Sequence, residues 1–170
     1  MRHLWRCFIS SIIIDGYNVI GIYHRDLRRQ REMLIESLID YRKRKGHDIT
    51  VVFDGWKTGE GQEARSVIGG VQVIYSRVGE KADTVIKRII SSDNRQWIVV
   101  SSDRDIANHA WASGSIPAPA EDFLRALVRK EPSFDGGEAD DDEDATPRRK
   151  GNPRQLSKRE KALARALRKL

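Results

Sequence analysis

The chain has 170 residues, 33% of them charged, with a formal net charge of +6 and a pI near 9.6. That length suits one ordinary domain plus a tail, and the positive balance favours an anionic partner, most commonly nucleic acid. One cysteine, Cys7, excludes an intrachain disulfide and a thiolate metal cluster. No long apolar stretch precedes Asp15, which argues against a secretory leader or a membrane span and sets a cytoplasmic, membrane-free expectation.

Residues 8–14 read as a buried strand running into Asp15, followed by a loop through Gly16, Asn18 and Gly21. Leu34, Ile35, Leu38, Ile39 and Tyr41 then recur at spacings of three and four, which predicts a helix from about Leu27 to Lys45. Four cations, Arg42 to Lys45, suit its carboxyl end, and Gly46 suits a left-handed stop. Ile49–Phe53 is a second strand. The glycine-rich stretch from Gly55 to Gly70 reads as a long connection. Val71–Tyr75 and Trp97–Ser101 are further strands, with an amphipathic helix carrying Ala82, Val85, Ile86, Ile89 and Ile90 between them. Asp103 is placed to cap a helix carrying Ile106 and Ala110. Ser115–Ala118 is a short strand whose prolines require a sheet edge, and Phe123 to Val128 closes the domain with a helix. Alternating strands and helices of this length predict an α/β fold with a mostly parallel sheet of four to five strands.

The character of the chain changes after Pro132. Residues 135–144 hold seven acidic side chains and no basic one, whereas residues 145–170 hold ten Lys or Arg against Glu160 alone. The division expected is a nuclease-sized domain over 1–132, a disordered acidic-to-basic linker over 133–155, and a basic amphipathic helix over 156–170. Ser157 and Glu160 have capping-box spacing, and Leu163, Leu167 and Leu170 line one face of that helix. At about 14 residues it is marginal alone. It is expected to fold against RNA, a ribosomal surface or the acidic linker, or to serve simply as a solubilising tail.

Four apolar runs end in or lead into an aspartate: Asp15, Asp54, Asp83 and Asp103. Each alone has an ordinary structural explanation as a turn former or a helix cap. Together they fall on one predicted edge, because the carboxyl ends of parallel strands share a side of the sheet. Two unit charges about 4 Å apart repel by roughly 4 kcal/mol at an effective dielectric near 20. Several crowded carboxylates therefore need protons or a hard cation such as Mg²⁺ or Mn²⁺. Arg25, Arg28, Arg29, Lys57, Arg65, Arg77 and Lys81 fall near the same edge as phosphate contacts, and Trp56 is placed either to stack on a base or to anchor its loop.

The segments Asp15-Gly16-Tyr17-Asn18-Val19-Ile20, Val51-Val52-Phe53-Asp54-Gly55, Gly79-Glu80-Lys81-Ala82-Asp83 and Val99-Val100-Ser101-Ser102-Asp103 resemble the motifs of YacP-like NYN domains, within the PIN-like nuclease superfamily. The resemblance covers about residues 8 to 130. It implies a Rossmann-like sheet and a metal-dependent endoribonuclease that cleaves RNA phosphodiester bonds by metal-activated water. Carried over motif by motif, it makes Asp15, Asp54, Asp83 and Asp103 the catalytic acids. Asp15, Asp83 and Asp103 would be ligands of Mg²⁺ or Mn²⁺, with Asp54 and Asp105 as further candidates. Asn18 and Ser102 would orient a carboxylate or a phosphate, and Arg65, Lys81 and Trp56 would contact substrate. The partners implied are RNA and, as a further candidate, the ribosome.

Other chemistries fit the sequence less well. His3, His24, His47 and His109 show neither ligand spacing nor a partner nucleophile, and no phosphate-cradling glycine loop follows the first strand. A phosphatase using Asp15 as nucleophile would want a second carboxylate two residues on, where Tyr17 stands. The alternative from a different class is an RNA- or ribosome-binding module with the same fold and little or no catalysis.

Overall fold

The run Ser11–Asp15 forms the central strand, β1, because three consecutive isoleucines can be buried on both faces only inside a parallel sheet. The structure is a computed structural model and describes residues 10–21, 26–55, 61–128 and 157–170. Beside β1 lie β2 (Asp48–Phe53) and, beyond it, β4 (Val71–Tyr75); on the other flank lie β5 (Trp97–Val100) and β6 (Ile116–Ala118), all parallel. A further strand, β3 (Ala64–Ile68), pairs antiparallel with β4, giving the order β3-β4-β2-β1-β5-β6.

The sheet thus has six strands, one more than the upper expectation. The additional strand lies in the stretch read as a long connection. Its face pattern explains the difference: Arg65, Ser66, Val67 and Ile68 are all exposed, so β3 carries no buried-face periodicity. Pro117 sits in β6, the opposite edge strand, as a proline without a ladder donor should.

Alternation along the strands divides the interior in two. Ile12, Ile14, Val51, Phe53, Val73, Ile98 and Val100 face α1 (Gly16–Ile20), α2 (Leu27–Lys45) and α5 (Ala120–Val128). Ile13, Val52, Ile74 and Val99 face α3 (Ala82–Ser92) and α4 (Arg104–Ala112). Helix α2 has the bounds the spacing predicts and stops on Gly46 in the left-handed region. The segment after Asp15, expected as a loop, winds instead into the single turn α1, with Asp15 as its cap.

The basic helix α6 (Lys158–Lys169) opens on Ser157 with both reciprocal capping-box bonds made. It was expected to fold against a partner; the structure provides one from the domain itself. Ala166 and Leu170 are buried in the α2/α5 core, with Ala162, Leu163 and Leu167 packed against it. Tyr41 Oη donates to the Leu170 backbone oxygen at 2.6 Å. The Ser10 amide donates to His47 Nδ1, so the proton lies on Nε2, which donates to the Lys169 carbonyl at 2.8 Å. Ser10 and His47 immediately precede β1 and β2, so the end of α6 is pinned at the amino edge of the sheet. The acidic run lies outside the described residues, as do Cys7 and the start of the first predicted strand. Among the described residues no helix is long and apolar enough to cross a membrane.

Removing the Tyr41 hydroxyl leaves a buried backbone oxygen without its donor, which costs about 1–2 kcal/mol. Tyr41→Phe is expected to lower the urea unfolding free energy by that amount and to speed tryptic cleavage within α6. An unchanged digestion rate would mean that the helix is held by its apolar contacts alone.

Candidate active site at the carboxyl edge of the sheet

Parallel register decides which side chains meet. Asp15 ends β1, opposite Val52, so it emerges beside the end of β2, from which Asp54 leaves one residue beyond Phe53. On its other side Val100 pairs with Ile14, and Ser101, Ser102 and Asp103 lead out of β5 into α4. The chain order grows outward from β1 through β2 to β4 and then crosses back to β5. The crevice between β1 and β5 is therefore the topological switch point, where open α/β sheets form their sites.

Each aspartate is also fixed locally. Asp15 Oδ1 accepts from the Asn18 amide, and Asp103 Oδ1 accepts from the Asp105 amide at 2.7 Å, as caps of α1 and α4. Asp54 Oδ1 accepts from the Ala82 amide at 2.6 Å, which ties the end of β2 to the start of α3 and brings Asp83 to the same edge. Asn18 Oδ1 accepts from the Ser102 amide at 2.8 Å, closing the β1 side of the crevice onto the β5 side. The Ser102 hydroxyl accepts from the Ala120 amide, so it positions the loop on α5.

The electrostatic result is concentrated on Asp15. Burial pushes its carboxyl up from 3.8 to about 6, and the charges of Asp54, Asp83 and Asp103 push the same way, against the Asn18 hydrogen bond that lowers it. Asp15, Asp54 and Asp103 have no lysine or arginine partner among the described residues, while Asp83 pairs with Lys87 at 3.6 Å. Asp105 turns away to the same Lys87, which holds its carboxyl below the usual range, and its charge is not among those acting on Asp15.

This donor set, all hard oxygens and largely uncompensated, is chemically suited to Mg²⁺ or Mn²⁺. The coordination is not preformed, however: among the described residues no three acidic or imidazole groups are gathered closely enough to hold an ion as they stand. Of the expected substrate contacts, Lys81 is exposed in a groove with Arg77, Val78, Gly79, Glu80 and Thr84. Arg65 lies out on β3, where it pairs with Glu63 at 2.7 Å. Arg77 pairs with Glu80 and Arg28 with Glu32, so much of the expected cationic rim is neutralised within the chain. Arg25, Trp56 and Lys57 lie outside the described residues.

Two supporting groups escaped the sequence reading. Ser76, fully buried, accepts from the Gly55 amide at 3.0 Å and donates to the Glu80 carbonyl at 2.6 Å, clamping the Asp54 turn to the loop before α3. Gly55 is required there, since a β-carbon would sit 1.5 Å from the Ser76 carbonyl oxygen. Nothing in a lone serine at a strand end signals this. Lys87, by contrast, stands four residues after Asp83, a helical spacing legible in the sequence.

A carboxyl whose pKa rises on folding binds its proton more tightly folded than unfolded, so stability falls as pH rises from about 4 to about 6. Asp15→Asn removes the buried charge. The variant is expected to be more stable than wild type at pH 8 by roughly 1–3 kcal/mol, with the gap closing below pH 4. Urea unfolding of both proteins at pH 4 and pH 8 measures this, and a gap independent of pH would contradict it.

Known proteins resemble this chain in sequence and in fold. The protein YacP of Bacillus subtilis (strain 168) is 28% identical over 129 residues, covering 70% of this chain and 75% of that protein. The crystal structure of Rae1 (YacP) from Bacillus subtilis matches with a TM-score of 0.55 at 24% identity, over 70% of this chain and 74% of that one. The crystal structure of a tryptophan-to-leucine mutant of Rae1 matches with a TM-score of 0.57 at 24% identity, over 70% and 75%. At that identity the likeness to the solved structures establishes the fold. The family model for YacP-like NYN domains matches residues 12–169, from β1 through α6, and the chain accordingly belongs to the YacP-like NYN domain family of PIN-like nucleases.

Proposed function

We propose that this protein is a Mg²⁺- or Mn²⁺-dependent endoribonuclease whose site is the carboxylate crevice between β1 and β5. The observation that supports this most is Asp15, half-buried at the switch point, its pKa raised to about 6 by desolvation and by three other carboxylates, with no lysine or arginine partner among the described residues. A fold gains nothing in stability from such crowding. A polyanion-binding surface would be weakened by it unless a cation intervenes.

Asp15, Asp83 and Asp103 would hold the cation, with Asp54 completing the set. When bound, the cation supplies charge neutralisation at the phosphate and a more acidic water. The remaining work falls to the chain. Asp15 would meet the cation as a carboxylate, so its raised proton affinity makes cation binding weaken as the pH falls towards 6. Asn18 keeps the two sides of the crevice in register through Ser102, and Lys81 offers an exposed ammonium for a neighbouring phosphate. Cytoplasmic RNA, free or on the ribosome, is the substrate class proposed.

A second reading is an RNA-binding module with little catalysis. It is favoured by the caps and turns that already occupy Asp15, Asp54 and Asp103, and by the absence of a ready three-ligand group among the described residues. One pair of measurements separates the two. With Mn²⁺ the wild type is expected to cleave single-stranded RNA, and with EDTA or in the Asp15→Asn, Asp103→Asn double variant cleavage should fall to background. Calorimetric titration should show Mn²⁺ binding to wild type that Asp15→Asn loses. Equal weak binding by both, without metal-dependent cleavage, would support the binding module.

A further inference from the structure

We propose that the outer face of α6 is a second RNA contact, a platform for the phosphate backbone at the edge of the sheet opposite the carboxylates. It rests on the nuclease reading only for the identity of the polyanion; binding there needs none of the aspartates.

The placement follows from the contacts that pin α6. Its last residues bond to Tyr41 and His47 below β1 and β2, and near its start Arg159 lies 5.5 Å from the centre of the Trp111 ring, close to the end of α4. Both anchors belong to the amino edge of the parallel strands. Strands of five or six residues separate the two edges by roughly 15–20 Å.

The chemistry follows from what the helix has left to offer. Its apolar side is buried in the domain, so it has no hydrophobic face with which to enter a membrane. On its outer side Lys158, Lys161, Arg165 and Arg168 recur at spacings of three and four, forming one exposed stripe about 15 Å long. None of these four has a carboxylate partner among the described residues. Glu160, the one acid of the helix, is occupied by the Ser157 amide in the capping box. Lys43 and Arg44, exposed in the last turn of α2, are engaged with Asp40 and with the Leu127 carbonyl, so the stripe rests on α6 itself.

The carboxyl edge contrasts with this. There Lys87, Arg77 and Arg88 are committed to Asp83, Asp105, Glu80 and Glu63, as is Arg65 to Glu63, which leaves Lys81 and Arg104 exposed beside an acidic crevice. A polyanion drawn to that crevice is repelled by it until a cation is bound. A stripe of uncompensated charge on the same rigid body retains the strand without depending on the metal, and reads no bases.

The test uses the full chain carrying Asp15→Asn, in EDTA, with a fluorescently labelled single-stranded RNA of about 20 nucleotides whose integrity is checked on a gel. Replacing Lys158, Lys161, Arg165 and Arg168 by glutamine is expected to weaken binding at least tenfold. It should also lower the slope of log affinity against log salt by about 2–3, at roughly 0.7 for each phosphate no longer neutralised. Circular dichroism confirms that the variant keeps its fold; should it not, Lys161→Gln and Arg165→Gln singly are each expected to lower the slope by about 0.7. Unchanged affinity and slope overturn the proposal, as does tighter α6-dependent binding to phosphatidylserine vesicles than to RNA. Cleavage by wild type without α6-dependent binding would remove the platform and leave the nuclease. Binding through α6 without cleavage would do the reverse.

Discussion

The ladders and turns of this sheet hold like charges on one side of it at a cost in free energy. Carboxylates at close quarters repel by several kcal/mol when poorly solvated, and among the described residues no lysine or arginine pairs with Asp15, Asp54 or Asp103. What keeps them in place is the backbone. The β1–β2 and β1–β5 ladders fix where the strands end, and amides of the following turns grip the carboxylates one by one. The sheet core behind them, with Ile13, Val52 and Val99 wholly buried, makes the arrangement too stiff to relax by spreading apart. Burial first, and the neighbouring carboxylates after it, raise the affinity of Asp15 for its proton.

A second consequence is the polarity of the domain. Around the acidic crevice, arginines and lysines are consumed in a network that joins β3, the 76–81 loop and α3 through Glu63, Glu80 and Arg88. That network steadies the loop that Ser76 clamps to the Asp54 turn. At the amino edge the balance reverses, and α6 brings a row of cations that the fold leaves unmatched. Among the described residues the positive charge is not spread evenly: the crevice gathers carboxylates, and α6 gathers an exposed row of cations.

Helix α6 shows how local and tertiary information divide. Its start, length and amphipathic face were legible, because a capping box and a spacing of three and four are properties of neighbouring residues. Its docking on Tyr41 and His47 was not, because an apolar stripe says that something covers it without saying what. Strand β3 failed for the opposite reason: an edge strand exposed on both faces lacks the alternation from which strands are read, and its place is set by hydrogen bonding to β4. The turn α1 was hidden by Gly16 and Asn18, residues that suit loops until Asp15 caps them into a helix.

Residue order alone shows that strands and helices alternate, that the runs at 8–14, 49–53 and 97–101 suit buried strands, and that aspartates follow them on one side of a parallel sheet. These follow from residue periodicity and from the geometry of parallel sheets. Packing adds which cations are spent on which acids, that Lys87 is shared by Asp83 and Asp105, and that the end of the tail helix docks at the amino edge of the sheet. Such pairings depend on distances between residues far apart in the chain, and those distances exist only once the core has packed.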